Sequence, residues 1–252
     1  MSEPVVRYDV AKGVATIMLN RPARLNAVNA EARDALFAAW RRFEADTEAK
    51  VAILTGAGER AFCVGRDLAE PAEGPFLLES FPIVGVSIQV SKPTIAAVNG
   101  FAFGGGFLFA QMCDLCVAAD SATFAITETK LGRGAAWAAP LVRMLPTRTA
   151  MELLLTARPM SAQRLRDVGF VNAVVPQDDL GEASRDLARA IAANAPLAVA
   201  ACKRLVNMIG RDGATPTTAE AEGMFAHVYS SGDAAEGLAA FREKRPPRWT
   251  GA

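Results

Sequence analysis

Three short segments hold residues whose types and spacing could do chemistry. Ala61-Phe62-Cys63-Val64-Gly65-Arg66-Asp67-Leu68 follows a short apolar run and a glycine-containing turn. A loop of this kind presents backbone N–H groups, and Gly65 admits a conformation that other residues resist. The same residues would also make an ordinary surface turn. Asn99-Gly100-Phe101-Ala102-Phe103-Gly104-Gly105-Gly106 lies between an apolar strand and an apolar helix. Glycines at a helix start let a ligand approach the main chain. The unpaired N–H groups there carry partial positive charge, which favours a developing oxyanion. Close helix packing is the competing use of such a run, and the spacing does not match a dinucleotide fingerprint. The third segment is Phe124-Ala125-Ile126-Thr127-Glu128-Thr129-Lys130-Leu131-Gly132-Arg133-Gly134. Glu128 is a carboxylate in an apolar neighbourhood just after a short strand. Burial there would disfavour its charged form and make it a candidate acid/base. A surface glutamate paired with Lys130 or Arg133 fits the same letters.

Composition removes several other chemistries. Hydrophobic residues make up 51% of the 252 residues and charged residues 21%, a globular balance with enough chain for one large domain. Lys+Arg and Asp+Glu both number 27, so no basic excess is available for a nucleic acid. The single histidine, His227, lies far along the chain from every segment above, which argues against a Ser-His-Asp or His-metal enzyme. Cys113 and Cys116 form a Cys-x-x-Cys inside the apolar run Leu108 to Ala119, with no second pair to complete a zinc site. Together with Cys63 and Cys202 they read as free thiols, and no metal is expected. Met1 to Asp9 lacks the charge-then-apolar pattern of an export signal, and no apolar run approaches about 18 residues. The expectation is a cytoplasmic protein with no membrane partner.

Elements must position these segments. Val5 to Val10 and Val14 to Leu19 alternate around Lys12-Gly13, which predicts a hairpin. Asn29 can cap a helix to about Glu44 with Leu36, Phe37, Trp40 and Phe43 on one face. Val51 to Thr55 and Thr94 to Val98 read as buried strands, and Gly58 to Pro75 as loop. Phe76 to Val90 reads as a helix interrupted by Pro82. An apolar helix follows Gly106, then strands at Asp114 to Ala119 and Thr123 to Ile126. From Trp137 onward the pattern is almost all helical: Leu141 to Leu145, Thr149 to Thr156, Ser161 to Asp167, Asp179 to Asn194, Leu197 to Ile209, Thr217 to Tyr229 and Asp233 to Lys244. Strand–helix alternation followed by helices implies an α/β fold with parallel strands and right-handed crossovers. A core over residues 1–195 and a helical C-terminal region over 196–252 is the expected division. Several Ala-rich helices are apolar on more than one face, which predicts an oligomer.

Taken together, the motifs resemble the enoyl-CoA hydratase/isomerase (crotonase) family, over nearly the whole chain. Arg21-Pro22-Ala23-Arg24-Leu25-Asn26-Ala27 resembles its early CoA-contacting turn, and Ala61 to Leu68 the loop giving a first oxyanion-hole amide. Lys92-Pro93-Thr94-Ile95-Ala96-Ala97-Val98-Asn99-Gly100 through Gly106 resembles the strand and turn giving a second. Met112-Cys113-Asp114-Leu115 and Ala118 to Phe124 follow in the family's order, and Phe241-Arg242-Glu243-Lys244-Arg245 resembles its terminal helix. The resemblance implies a crotonase-like spiral of ββα repeats. It implies a homotrimer or dimer of trimers, and an acyl-CoA substrate that brings its own coenzyme A, so no separate cofactor. The oxyanion hole falls on the N–H groups of Arg66 and Gly105, and the acid/base on Glu128. Acyl-CoA contacts fall on Arg24, Leu25, Ala27, Val64, Arg66, Asp67, Leu68, Gly105, Leu108, Arg133 and Trp137. Phe241 and Lys244 would reach the CoA nucleotide, often across a subunit boundary.

The sequence also departs from that pattern. Hydratases of the family place two glutamates around one water. One position is Leu108 here; the other is Glu128. Hydration must position a water while moving two protons, whereas a double-bond shift needs one base. The residues therefore lean toward an isomerase-like proton shuttle, with a second acid from Glu70 to Glu79 as the route to hydration. Arg133 and Ala135-Ala136-Trp137 replace a Pro-Gly turn. Arg133 would pair with Glu128 or a polar acyl group, and Trp137 would narrow the acyl pocket or pack in the core. Two other classes stay open: a non-catalytic acyl-CoA-binding protein, and a thioester hydrolase or decarboxylase on the same scaffold.

Overall fold

β1 (Val6–Ala11) turns at Lys12-Gly13 and pairs antiparallel with β2 (Val14–Leu19), as the alternation requires. The computed structural model of the chain describes residues 3–70, 78–212 and 217–252. α1 (Ala30–Ala45) starts where the Asn29 side chain accepts from the Ala32 N–H, and it buries Leu36, Trp40 and Phe43. Next come β3 (Val51–Gly56), β4 (Ala61–Cys63), β5 (Thr94–Val98) and β6 (Phe101–Phe103). α2 (Gly105–Met112), β7 (Leu115–Ala119) and β8 (Thr123–Ala125) complete the segment that carries the motifs. α3 (Leu141–Met144), α4 (Thr147–Thr156), β9 (Met160–Ser161), α5 (Ala162–Asp167), β10 (Ala173–Val175) and α6 (Leu180–Ala192) follow. α7 (Pro196–Asp212), α8 (Thr218–Tyr229) and α9 (Gly232–Glu243) close the chain.

The strands form two sheets that the chain visits alternately. One has the order β1-β2-β3-β5-β7-β10, the other β4-β6-β8-β9. Each turn gives a strand to the first sheet and the next to the second: β3 then β4, β5 then β6, β7 then β8. Pairing is parallel except for β1 with β2 and β8 with β9. This is the expected spiral of ββα repeats. β3 and β5 read as continuous apolar runs because they are covered on both faces, with Val51, Leu54, Ile95 and Val98 fully buried.

Three expectations need correction. Residues 78–90 are not helical. A single 3₁₀ turn spans Leu78–Ser80, and a tight turn bridges Val84 to Ile88; residues 76 and 77 lie outside the described residues. Pro82 supplies no N–H, and the Ser87 hydroxyl bonds to the Phe81 carbonyl while accepting from the Ile83 N–H. The buried residues Phe81, Ile83, Ile88 and Val90 would fall on two opposite faces of a helix, not on one. Second, the loop over Gly58 to Pro75 contains β4; residues 71–75 lie outside the described residues. Third, the helical C-terminal half carries β9 and β10, of two and three residues. Strands this short hold too few residues to show alternation.

The late helices are tied back to the sheets. Lys203 on α7 forms an ion pair of 2.8 Å with Asp114 and donates to the Lys92 carbonyl. Asp233, 2% exposed on α9, accepts from the Thr250 and Gly251 N–H groups. Trp249 donates to the Ala193 carbonyl just after α6. The Arg245 guanidinium grips Glu236 through two nitrogens and, with the Arg248 N–H, holds that carboxyl down to about 2. No helix among the described residues is long and apolar enough to cross a membrane.

Where α2 crosses β4 the two backbones touch. A Cβ added at Gly106 would stand 1.9 Å from the Cys63 carbonyl oxygen, whereas one at Gly134 would meet nothing within 4 Å. Gly106→Ala is expected to lower unfolding free energy by about 3 kcal/mol or more, since neither backbone can give. Gly134→Ala should stay within about 0.5 kcal/mol. Denaturant melts of both variants against the parent check this.

Candidate active site

Two buried asparagines organise the loops. Asn26 donates to the carbonyls of Ala57 and Ala61 and accepts from the Arg21 N–H. Asn99 accepts from the Gly56 N–H and donates to its carbonyl. Together they fix the turn between β3 and β4 to the early Arg21–Ala27 segment and to the end of β5. Leu25 and Asn26 both take left-handed backbone angles, with φ of 51° and 55°. The bonds made by Asn26 offset that strain.

The loop after β4 is stitched to Val28. The Val28 N–H donates to the Gly65 carbonyl at 2.8 Å, and the Asp67 N–H donates to the Val28 carbonyl at 3.0 Å. In a parallel bridge of this kind the middle residue, Arg66, directs its own N–H to the opposite side. Gly65 has a φ of +87°, and a Cβ there would come 2.7 Å from the Gly105 nitrogen. Only glycine lets the two loops meet main chain to main chain. Gly105 is the first residue of α2. Its N–H makes no hydrogen bond among the described residues, as expected for the opening turn of a helix. Phe81 lies over this point: a Cβ at Gly105 would be 3.3 Å from its ring, which stacks on Phe109.

Asp67 locks the loop. Its carboxylate pairs with Arg21 at 2.9 Å, with side chains only 12% and 18% exposed. The Arg21 guanidinium, and then the Ala69 N–H, hold the Asp67 carboxyl below the usual aspartate range. Arg21 also donates to the Ala27 carbonyl, so one guanidinium joins both segments.

Glu128 opens a 3₁₀ turn, Glu128–Leu131, directly after β8. Its Oε1 lies 3.3 Å from the place a Gly104 Cβ would occupy, which sets the carboxylate beside the Gly104–Gly105 turn. Oε1 accepts from the Trp137 indole N–H at 2.8 Å. Oε2 is buried and has no hydrogen-bond partner among the described residues. Arg133 does not pair with this carboxylate. Its side chain is exposed, and its main-chain N–H binds the Glu128 carbonyl instead. The tight turn at Gly132 points the guanidinium outward, and an indole takes the place expected for it.

The remaining residues divide clearly. Gly105, Val64, Arg66 and Asp67 belong to these touching loops, and Trp137 sits beside Glu128. Leu108 is 2% exposed within the apolar core, and Ala27 is buried beneath the Arg21 guanidinium. Arg24 and Leu68 are exposed at the rim, Leu25 half-buried. Phe241, 84% exposed, and Lys244 end α9; no hydrogen bond or ring contact among the described residues joins them to Glu128. Of the acids considered for a second role, Glu70 accepts from the Ala30 N–H at the start of α1, Glu79 is exposed, and Glu73 lies outside the described residues. Cys63 and Cys113 are buried, and burial pushes both thiols up to about 12. Among the described residues no group of three His, Cys, Asp or Glu could hold a metal. Sequence reasoning gave no role of their own to Arg21 and Asn26 and missed Phe81 and Gln111. Only Asn26, an amide of the type that tolerates a left-handed backbone, carried a local signal.

This spiral fold with two loops meeting at a helix start defines a class, and comparison with known proteins supplies the family. A sequence model described as enoyl-CoA hydratase/isomerase matches residues 9–252. The carnitinyl-CoA dehydratase of Proteus mirabilis (strain HI4320) is 38% identical over 249 residues, 94% of this chain and 95% of that protein. That of Salmonella typhi is 39% identical over the same span. A crystal structure of an enoyl-CoA hydratase from Mycobacterium marinum superposes with a TM-score of 0.89 at 38% identity, covering 99% of this chain and all of that one. One from Mycobacterium tuberculosis H37Rv gives 0.88 at 38% identity. The chain belongs to the enoyl-CoA hydratase/isomerase (crotonase) family.

The Arg21–Asp67 pair should show in stability. Asp67 ionises more readily folded than unfolded, so its contribution is complete above the ordinary value of 3.8 and is lost as pH falls through the depressed one. Asp67→Asn is expected to cost about 1–2 kcal/mol at pH 7. The gap from the parent should shrink below pH 3.8, as urea melts at pH 7 and pH 3 would reveal.

Proposed function

We propose that the chain binds an acyl-CoA thioester, stabilises its enolate with the N–H groups of Arg66 and Gly105, and moves protons with Glu128 alone. The observation that carries this is the setting of the carboxylate beside the Gly104–Gly105 turn, where the Gly65 loop also arrives. Arg24, Leu25, Ala27, Val64, Asp67 and Leu68 then border the CoA moiety. Leu108 lines the acyl side. Phe241 and Lys244 reach the nucleotide of a neighbouring subunit in a trimer or dimer of trimers. The setting is cytoplasmic.

In double-bond migration, Glu128 takes a proton from C2 of a 3-enoyl thioester. The C–H electron pair moves into the carbon chain and on to the thioester oxygen, where two N–H groups meet the new negative charge. Loss of one such donor costs roughly 3–4 kcal/mol. The enolate collapses, C4 takes the proton back from Glu128, and a 2-enoyl thioester leaves an unchanged enzyme. No water enters, and no second carboxylate is needed. Leu108, apolar and buried, suits that economy.

Hydration or dehydration is the second reading. It is favoured by the names of the relatives, carnitinyl-CoA dehydratase and enoyl-CoA hydratase. Glu128 would then handle both the water proton and the carbon proton. Incubation in D₂O with 2-enoyl, 3-enoyl and 3-hydroxyacyl thioesters of CoA separates the two. Migration with deuterium at C2 and C4 marks the shuttle; interconversion of the 2-enoyl and 3-hydroxy forms marks hydration. Glu128→Gln is expected to slow either by about 10²–10⁴-fold. Full activity in that variant would remove Glu128 from the mechanism, and absence of CoA-thioester binding would defeat the whole reading.

A further inference from the structure

Gln111 and Trp137 make a connected pair around Glu128 that the reaction above leaves unexplained. The Trp137 indole N–H donates to Glu128 Oε1 at 2.8 Å, and the ring is 7% exposed. It packs on Phe107, with centroids 6.2 Å apart, and Phe107 is flanked by Phe124 and Phe170. The Trp137 carbonyl accepts from the Gln111 side-chain amide at 3.0 Å. Gln111, 6% exposed, lies on α2 one turn beyond Leu108. Beside this network, Glu128 Oε2 is buried without a partner among the described residues.

We infer that Trp137 is the positioning residue for Glu128: its N–H fixes Oε1 and reserves Oε2 for the proton, while Gln111 pins the Trp137 main chain. This deepens the proposed function and rests on Glu128 being the acid/base. The terminal torsion of a glutamate is broad and nearly two-fold, so a free carboxylate swings and exchanges its oxygens. A single donor on Oε1 makes them inequivalent. An indole suits the task because it is neutral. A guanidinium would orient the carboxylate equally well but would pair its charge and blunt it as a base. The buried aromatic cluster keeps water from competing for Oε1. Gln111 adds a geometric link. α2 presents the Gly105 N–H at its first residue and reaches Glu128 through Gln111 and Trp137 nearer its end. Both halves of the site are thereby referenced to one short helix, and misplacement by about 1 Å can cost two orders of magnitude in rate.

Trp137→Phe removes the N–H and keeps an aromatic ring against Phe107. With a 3-enoyl thioester of CoA it is expected to lower kcat about 10- to 100-fold, the range for a hydrogen bond to a charged group. KM and CoA-thioester affinity should stay within about twofold, an expectation set by the bond lying off the substrate. Added to Glu128→Gln it should reduce residual α-proton exchange no further, because the donor acts only through that carboxylate. Gln111→Leu should give a smaller loss of the same kind, confined to kcat. A kcat equal to the parent's in Trp137→Phe, with Glu128→Gln inactive, overturns the inference and leaves the proposed function standing. Equal losses in kcat and affinity, or a further loss on top of Glu128→Gln, would mean packing alone and also overturn it. Activity retained in Glu128→Gln overturns both. Should Trp137→Phe fail to fold, Gln111→Leu decides: unchanged kcat defeats the inference, and a loss in kcat alone supports it.

Discussion

The rest of this site depends on two stretches of main chain being allowed to touch. Gly65 and Gly105 approach so closely that any side chain at Gly65 would collide with the Gly105 nitrogen. Around this contact the other features fall into place as supports. Asn26 and Asn99 hold the turn that delivers one loop, the start of α2 delivers the other, and the Arg21–Asp67 pair keeps the first from drifting. Each support is a polar group satisfied by several partners in a place with little water. Such a network specifies one arrangement strongly, because a partly broken version leaves buried groups unpaired.

Energetically the framework divides by position. The sheets draw on ordinary apolar burial: β3 and β5 are closed off on both faces, and α1 contributes Trp40 and Phe43. The site loops bury less hydrocarbon and rely on hydrogen bonds to backbone groups. The late helices sit between these regimes. Lys203 and Asp233 fasten α7 and α9 through charged groups at the core's edge, while Met151, Leu155 and Phe241 stay exposed.

Legibility in the sequence followed the length scale of each signal. The hairpin, α1, β3, β5 and the late helices were readable because alternation, unbroken apolar runs, helical spacing and caps extend over five or more residues. The strands β4, β6, β9 and β10 were not, because two or three residues cannot display a period; β8, equally short, stood out only as an apolar patch between polar residues. Phe76 to Val90 misled because its apolar letters are dense enough for a helix while Pro82 and the Ser87 hydroxyl fold the chain otherwise. At the site, the touching glycines and Glu128 stood out by type. What pairs with Glu128 did not. Arg133 is nearer in the chain and opposite in charge, yet the turn at Gly132 sends it outward and brings Trp137 in from nine residues away. Gln111 was invisible for a related reason: one amide in an apolar helix declares no partner until the tertiary fold supplies the Trp137 carbonyl.

Main-chain donors also bear on how such a protein changes over generations. A backbone N–H points where the chain's path directs it, and nearly any side chain at Arg66 leaves that path alone. In the proposed reaction the polarising half of the site is therefore insulated from most point mutations, apart from those at the glycines. The half that moves protons rests on a single carboxyl group and the indole beside it, both encoded by replaceable side chains. Heritable variation is thus channelled to one side of the thioester. A lineage built this way can exchange one proton-transfer chemistry for another without first dismantling what makes the substrate reactive.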